Sequence, residues 1–103
     1  MRTLLSSSDR QQLKNILPGW EAIPGRDAIY KKFVFSDFEQ AFAWMTKVAQ
    51  VAEQINHHPE WFNVWNTVEV TLSTHDVQGL TQSDIELAKA MERLLQESVA
   101  MTS

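Results

Sequence analysis

At 103 residues the chain has the length of one domain with a single hydrophobic core. Its 9 basic and 13 acidic residues give a net charge of −4, which argues against direct nucleic-acid binding because that function requires a basic surface. The lack of cysteine excludes disulfide bonds, thiolate nucleophiles and thiolate zinc sites. Since no segment is apolar enough for a secretory signal or a membrane span, we expect a cytoplasmic location, with the nucleus as a second compartment.

The first predicted helix is short and follows a flexible arm at residues 1–7. Ser8, with Gln11 three residues later, resembles a capping box that opens the helix. Pro18-Gly19 ends it. Such a short helix is marginal by itself, so we expect it to dock on a larger element.

Residues 20–23 and 28–35 are predicted to form the two strands of a hairpin. The turn between them is Pro24-Gly25-Arg26-Asp27, where proline fixes its φ angle and glycine permits unusual ones. The side-chain alternation of the second strand predicts that Phe33 and Phe35 face the core.

The longest predicted helix begins at a capping box formed by Ser36 and Glu39 and ends before His58-Pro59, because proline disfavours the helical conformation in the preceding residue. Other apolar residues, at Trp44, Val48 and Val51, broaden its apolar surface beyond one face. This breadth predicts contact on two sides, one of them with another subunit. The apolar positions that recur every three or four residues are Phe38, Phe42, Met45, Ala49 and Ala52.

A second hairpin is predicted from residues 61–65 and 68–73, joined at Asn66-Thr67. A last helix then begins with Thr81 as its cap and Asp84 at the third position. The element order predicts one α+β domain over residues 1–103, with the order α-β-β-α-β-β-α. In this fold, three helices pack on one face of a four-stranded antiparallel sheet.

All three histidines of the chain, His57, His58 and His75, lie around the end of the longest helix and the hairpin that follows. Histidine has an unperturbed pKa of ~6.5, so it can both give and take a proton near neutral pH. Glu53 and His57 are four residues apart and would share a helix face, whereas His58 already leaves the helix. The hairpin after Pro59 can return His75 to the same neighbourhood, which predicts a three-histidine cluster.

Three interpretations of this cluster remain open from the residues alone. The histidines could be structural, with His57 at a helix C-terminus and His58 in a turn. They could perform acid–base chemistry, or they could bind zinc, although adjacent histidines are poorly placed for one ion. Trp61 and Trp65 would share a strand face and form either an aromatic wall for a planar ligand or ordinary sheet packing. Asp84 would be a helix-start carboxylate.

At these positions the sequence resembles the pterin-4a-carbinolamine dehydratases, a family also known as dimerization cofactors of a hepatocyte homeodomain transcription factor. The stretches 56–63, 71–75 and 25–29 are similar to the animal members almost letter for letter. Many relatives carry tyrosine where this chain has tryptophan at position 65. The residues that match the family pattern are, in chain order, Glu53, His57-His58-Pro59, Trp65, His75 and Asp84.

The resemblance implies a lyase that dehydrates 4a-hydroxytetrahydrobiopterin to quinonoid dihydrobiopterin and water, in the recycling of tetrahydrobiopterin, without a metal or cofactor. It implies that His57, His58 and His75 are catalytic, with His58 as the principal acid or base. Trp65 and Asp84 would belong to the motif as structural residues. The residues implied to bind the pterin are Glu53, Asn56, Pro59, Trp61, Ser73, Thr74 and Asp76.

The resemblance also implies a second kind of function, that of a transcriptional coactivator that stabilises dimers of a homeodomain transcription factor. Helix surfaces, rather than the histidines, would serve this role. The family resemblance further implies a homotetramer built as a dimer of dimers.

Overall fold

The computed structural model of the protein describes the backbone of residues 2–102 and the side chains of residues 2–97. It confirms the predicted α+β fold and element order. The four strands form one antiparallel sheet in the order β1-β2-β4-β3. The elements are α1 (Ser7–Ile16), β1 (Glu21–Ala22), β2 (Ile29–Val34), α2 (Phe38–Gln54), β3 (Glu60–Val64), β4 (Thr67–Leu72) and α3 (Gln82–Thr102), with a 3₁₀ turn at His75–Val77.

The hydrophobic core lies between one face of the sheet and the helices α2 and α3. On β4, Val68, Val70 and Leu72 are completely buried, and they alternate with half-buried polar residues on the other face. Trp44 of α2 packs beside Met91 of α3, and the Trp44 indole N–H donates to the Met91 carbonyl at 3.1 Å. This bond satisfies the polar atom of the largest buried side chain.

Phe33 of β2 faces the core as predicted, with 2% of its surface exposed, and it contacts Trp44 with ring centroids 4.6 Å apart. Phe35 lies just beyond the strand and packs on the same tryptophan. The first strand is shorter than predicted because only Glu21 and Ala22 pair with β2.

The first two predicted helix caps are both wrong, by two residues for α1 and by one residue for α2. Helix α1 is capped by Ser6, whose hydroxyl accepts from the Asp9 N–H, and not by Ser8. Helix α2 is capped by Asp37, whose carboxylate accepts from the Gln40 N–H at 2.8 Å, and not by Ser36. Each segment offers adjacent residues that cap equally well, so the spacing alone does not select one.

The described part of the predicted flexible arm is docked on the domain, so that prediction is wrong for residues 2–6. Leu5 is buried, and its N–H donates to the Leu80 carbonyl at 2.8 Å. Leu4 forms an isolated bridge with Thr81. Arg2 reaches the end of α2, where its guanidinium donates to the carbonyls of Ile55 and Asn56. Met1 lies outside the described residues.

The predicted apolar stripe of α2 is only partly the buried one. Phe38 and Phe42 are 47% and 54% exposed, with their ring centroids 5.6 Å apart, and Ala49 is exposed as well. The apolar surface of α2 is as broad as predicted, but only one side of it is buried. The other side, which carries Phe38 and Phe42, faces solvent in the single chain. The buried residues of α2 are Ala41, Trp44, Val48 and Ala52.

The turn of the second hairpin is Trp65-Asn66, one residue earlier than predicted. Trp65 has a left-handed φ of 49° and is 64% exposed at the tip of the turn. No helix in the part of the chain that the structure describes is long and apolar enough to cross a bilayer.

Candidate functional site

All three histidines line one cavity of about 180 Å³, which lies where the end of α2, the start of β3 and the segment after β4 meet. We call it the histidine cavity. Its lining residues are Arg2, Asn56, His57, His58, Pro59, Glu60, Ser73 and His75.

A second cavity of about 480 Å³ adjoins the first, since Ser73 and His75 line both. Its other lining residues come from the β1–β2 loop and from the turn after β4 at Gln78. Ligand pockets commonly have volumes of ~300–1,000 Å³, so the two cavities together offer a more usual volume than the histidine cavity by itself. A third cavity of about 340 Å³ beneath α1 is mainly apolar and contains no histidine, so chemistry rather than size identifies the candidate site.

The backbone at the end of α2 places His57 in the wall of the histidine cavity. Asn56 adopts a left-handed φ of 51°, a conformation that asparagine tolerates better than most residues. The His57 N–H then donates to the Ala52 carbonyl at 2.9 Å and the Asn56 N–H to the Glu53 carbonyl at 3.2 Å. These two bonds form a Schellman motif, which turns the chain sharply and directs His57 inward. The helix therefore ends at Gln54, earlier than the predicted end just before His58-Pro59, and His57 does not share a helix face with Glu53.

His57 is held by a buried carboxylate. Its Nε2 lies 2.6 Å from Asp84 Oδ1, and the side chains are 5% and 0% exposed. The other carboxylate oxygen of Asp84 accepts from the Thr74 hydroxyl at 2.8 Å and from the Thr81 N–H at 2.9 Å. An ionised carboxylate can only accept, so the network assigns the proton of neutral His57 to Nε2 and leaves Nδ1 as the free nitrogen.

The hydroxyl groups of Thr81 and Thr74 form a chain of hydrogen bonds in which each group donates towards Asp84. The Ser83 N–H donates to the Thr81 hydroxyl, which lies 2.7 Å from the Thr74 hydroxyl. Because the Thr74 proton goes to Asp84, the proton between the two threonines belongs to Thr81. Among the described residues, no buried side-chain nitrogen or oxygen lacks a hydrogen-bond partner. The network therefore fixes the position of Asp84 and, through it, that of His57.

The other two histidines pair with carboxylates at the surface. His58 Nε2 hydrogen-bonds to Glu53 in the last turn of α2, and these side chains are 59% and 76% exposed. His75 Nε2 lies 3.0 Å from Glu60 Oε2, with exposures of 74% and 37%. The guanidinium of Arg26 and the imidazole of His75 lower the pKa of Glu60 to about 2, so this carboxylate is ionised at neutral pH.

Each histidine thus contacts a carboxylate through the same ring atom, Nε2, while Nδ1 stays available. In the part of the chain that the structure describes, no group of three or more histidine, aspartate or glutamate side chains is arranged to hold a metal ion. The arrangement can supply several proton donors and acceptors around one small cavity.

Comparison with known proteins identifies the family. The model of the family described as "Pterin 4 alpha carbinolamine dehydratase" matches residues 3–94. The chain belongs to this family. The match confirms the resemblance found in the sequence.

Similar proteins cover about three quarters or more of the chain. A Burkholderia vietnamiensis strain G4 protein with the provisional name pterin-4-alpha-carbinolamine dehydratase is 56% identical over 90 residues, which is 87% of this chain and 88% of that protein. A Jannaschia sp. strain CCS1 protein with the same provisional name is 63% identical over 78 residues, 76% of this chain and 80% of its own. The crystal structure of a "transcriptional coactivator/pterin dehydratase" from Brucella melitensis matches with a TM-score of 0.85 and 42% identity, covering 89% of this chain and 98% of that one.

Of the residues that the family resemblance assigned to pterin binding, Asn56, Pro59 and Ser73 line the histidine cavity. Asn56 also shapes the helix end, and the Ser73 hydroxyl donates to the Asp27 carbonyl at 2.9 Å. Glu53 reaches the site through its bond to His58.

The remaining assigned residues lie outside the lining of the histidine cavity. Thr74 is buried and bonded to Asp84. Asp76 is exposed in the 3₁₀ turn. Trp61 packs towards the core, with its ring centroid 6.5 Å from that of Trp44. The prediction that Trp61 and Trp65 form an aromatic wall is wrong, because Trp65 lies in the hairpin turn beyond the end of β3. The helix-start role of Asp84 is confirmed, and its bond to His57 adds to it.

Sequence reasoning missed three residues of the site. Arg2 was assigned to the flexible arm, yet it lines the histidine cavity. Glu60 and Arg26 are joined across the sheet edge, with Arg26 Nη1 donating to Glu60 Oε1 at 2.8 Å. The one available signal was that Glu60 directly follows His57-His58-Pro59.

Proposed function

We propose that the protein is a hydro-lyase that dehydrates pterin-4a-carbinolamine, 4a-hydroxytetrahydrobiopterin, to quinonoid dihydrobiopterin and water. The observation that carries this proposal is the histidine cavity, where three imidazoles with carboxylate-bound Nε2 atoms surround one small space. Membership of the dehydratase family and the names of the similar proteins support it. The reaction would serve the recycling of tetrahydrobiopterin.

The chemistry needs one proton acceptor and one proton donor. The bond between C4a and the hydroxyl oxygen breaks, and that oxygen takes up a proton to leave as water. The N5–H bond gives up its proton, and its electron pair forms the C4a–N5 double bond. Because the protein takes one proton and gives one, the atoms and charges of the reaction balance without a metal or another cofactor.

In this proposal His58 is the principal acid or base, and His57 and His75 polarise the leaving hydroxyl. The 59% exposed side chain of His58 can exchange its proton with solvent after each turnover, which suits this role. His57 is fixed by Asp84 and suits an orienting hydrogen bond instead.

The pterin ring would lie in the histidine cavity, and its substituent would extend into the adjoining cavity past Ser73 and His75. Buried polar groups near the ring would select its amide and amino edges by hydrogen bonding. Of the binding residues in this proposal, Asn56, Pro59 and Ser73 would contact the pterin directly. The others would shape the pocket from outside its lining, namely Glu53, Trp61, Thr74 and Asp76.

The test is stopped-flow dehydration of synthetic 4a-hydroxytetrahydropterin by the wild type, His58→Ala and His75→Ala. Loss of a general acid or base should lower the rate by about 10²–10⁴-fold. Near wild-type rates in both variants would overturn the assignment. The same assay with a chelator should show unchanged activity, and activity lost to the chelator would support a metal mechanism instead.

A second proposed function is association through α2, as a coactivator-type binding module or a homotetramer. Phe38 and Phe42 form an exposed aromatic pair on this helix, and such patches mark interaction surfaces. The name of the similar Brucella melitensis structure, which includes a transcriptional coactivator, favours this reading. The partner would be the dimerization segment of a homeodomain factor, and the nucleus would then join the cytoplasm as a location.

Light scattering on the purified protein tests the association. Phe38→Ser/Phe42→Ser should reduce the molar mass to a smaller species while dehydration continues. The matched control is Phe62→Ser, an exposed phenylalanine on the open sheet face. An unchanged molar mass in the double variant would exclude this surface as the interface. A wild-type protein that is monomeric and does not bind the dimerization segment of a homeodomain factor would refute the association.

A further inference from the structure

Glu60 lines the histidine cavity, yet the proposed chemistry gives it no role. It is the first residue of β3 and pairs with Thr71 on the sheet face opposite the helices. Its Oε1 accepts from Arg26 Nη1 at 2.8 Å, and its Oε2 contacts His75 Nε2 at 3.0 Å. One carboxylate therefore connects the β1–β2 loop, the start of the edge strand and the 3₁₀ turn.

His75 depends on this connection for its orientation. Its side chain is 74% exposed, and Glu60 is its only side-chain hydrogen-bond partner among the described residues. An exposed side chain samples several rotamers unless a bond selects one, and ordering it costs conformational entropy. His57 has no such need, because burial and Asp84 already fix it.

Arg26 keeps Glu60 in the form that accepts hydrogen bonds. The pair is bidentate, with both guanidinium nitrogens on the carboxylate. The pKa of Glu60 is lowered to about 2, with Arg26 as the larger cause. The ionised carboxylate can only accept a hydrogen bond. In neutral His75 the donor is therefore Nε2, which carries the imidazole proton.

We propose that Glu60, held by Arg26, is a positioning residue that fixes both the orientation and the tautomer of His75, so that Nδ1 is the ring nitrogen presented to the substrate. The effect on turnover rests on the proposed role of His75 in dehydration. The effect on the tautomer does not depend on it.

The first test reads the tautomer directly by ¹⁵N NMR of the histidine rings, at a pH where His75 is neutral, with His75→Ala to assign its signals. The wild type should show His75 protonated on Nε2. In Glu60→Gln, Arg26 retains the amide oxygen, so the amide NH₂ faces the ring and should shift the proton to Nδ1. An unchanged His75 pattern in Glu60→Gln would overturn the proposal.

The second test measures turnover in a double-mutant cycle. Glu60→Gln should lower kcat about tenfold, part of the full acid–base contribution, with KM within about twofold of wild type. In the His75→Ala background the same substitution should have no further effect, because its target is gone. Equal losses in both backgrounds would show a general structural role and overturn the proposal.

Glu69→Gln is the matched control, since Glu69 is a carboxylate on the same sheet face that accepts from the Tyr30 hydroxyl at 2.6 Å. It should leave kcat and the His75 tautomer unchanged, and a loss as large as that of Glu60→Gln would overturn the specific role. If His75→Ala has the wild-type rate, the catalytic role of His75 fails, and with it the effect of Glu60 on turnover. The NMR result then decides the tautomer by itself.

Discussion

Two of the histidine–carboxylate pairs differ most in their surroundings, although they begin at adjacent residues. His57 and Asp84 are 5% and 0% exposed, whereas His58 and Glu53 are 59% and 76% exposed. Asp84 accepts two further hydrogen bonds, and its partners are buried with it. The buried pair is therefore part of the fold, while the exposed pair adds little to stability and is free to serve chemistry.

Asp84→Ala should produce the largest effect. It leaves His57, Thr74 and the Thr81 N–H without their buried acceptor, and the last of these bonds holds the start of α3. A buried donor left without an acceptor costs about 1–3 kcal/mol, so the loss of the acceptor of three donors should cost about 3–5 kcal/mol of unfolding free energy. Urea denaturation measures this loss, and a loss below about 1 kcal/mol would contradict the structural role of the pair.

Asp84→Asn is the variant that separates charge from shape. The amide oxygen can still accept from the Thr81 N–H, so the bond at the start of α3 survives. The amide nitrogen then faces His57 Nε2, which must become an acceptor and move its proton to Nδ1. We expect a smaller loss of stability, about 1–3 kcal/mol, with a clear loss of dehydration.

The next effect concerns the turn that separates the two pairs. Asn56 has a φ of 51°, a conformation that costs a residue with Cβ about 1–2 kcal/mol. Asn56→Val should lower the unfolding free energy by about that amount, and Asn56→Gly should not. Thermal unfolding of both variants checks this, and equal stability of the two would show that the left-handed turn is unimportant.

This turn also shows how far the sequence could be used to predict the site. The clustering of His57, His58 and His75 was predictable from topology, because a hairpin returns the chain to its start. The different directions of His57 and His58 were not, since they follow from the left-handed turn at Asn56. Asparagine after a helix was the available signal, but the proline at position 59 suggested a later end.

The fold was predictable where alternation and capping agreed, as in β4 and at Thr81-Asp84. Strand and helix ends shifted where several neighbouring residues could serve as caps, as at Ser36-Asp37. Contacts such as that between Arg26 and Glu60 join residues 34 positions apart. They depend on strand register and side-chain direction, which composition and spacing do not specify.

A smaller effect on stability should come from the ion pair of Arg26 and Glu60, and this effect depends on pH. The folded pKa of Glu60 is about 2, against an ordinary value of 4.5. Its carboxylate therefore contributes stability above pH 4.5, and this contribution is lost as the pH falls towards 2. The stability difference between wild type and Glu60→Gln should be largest at neutral pH and disappear in acid.

Urea unfolding at a series of pH values measures that difference. Asp27 also has a lowered pKa, mainly from its bond to Arg10, but it is present in both proteins and cancels. The contribution should be modest because the Glu60 side chain is 37% exposed and screened by water. A difference that grows as the pH falls would have the wrong sign for a lowered pKa.

Glu53→Ala should have the smallest effect on stability, within about 0.5 kcal/mol, because it removes an exposed side-chain hydrogen bond. Its effect on dehydration should be larger than its effect on unfolding, since His58 loses the carboxylate that holds Nε2. Urea denaturation and stopped-flow dehydration of this one variant give both values. If Glu53→Ala unfolds as easily as Asp84→Ala, the exposed pair is part of the fold after all. If neither value changes, His58 works without a carboxylate partner, and its neighbour His57 is the only histidine of the two that needs one.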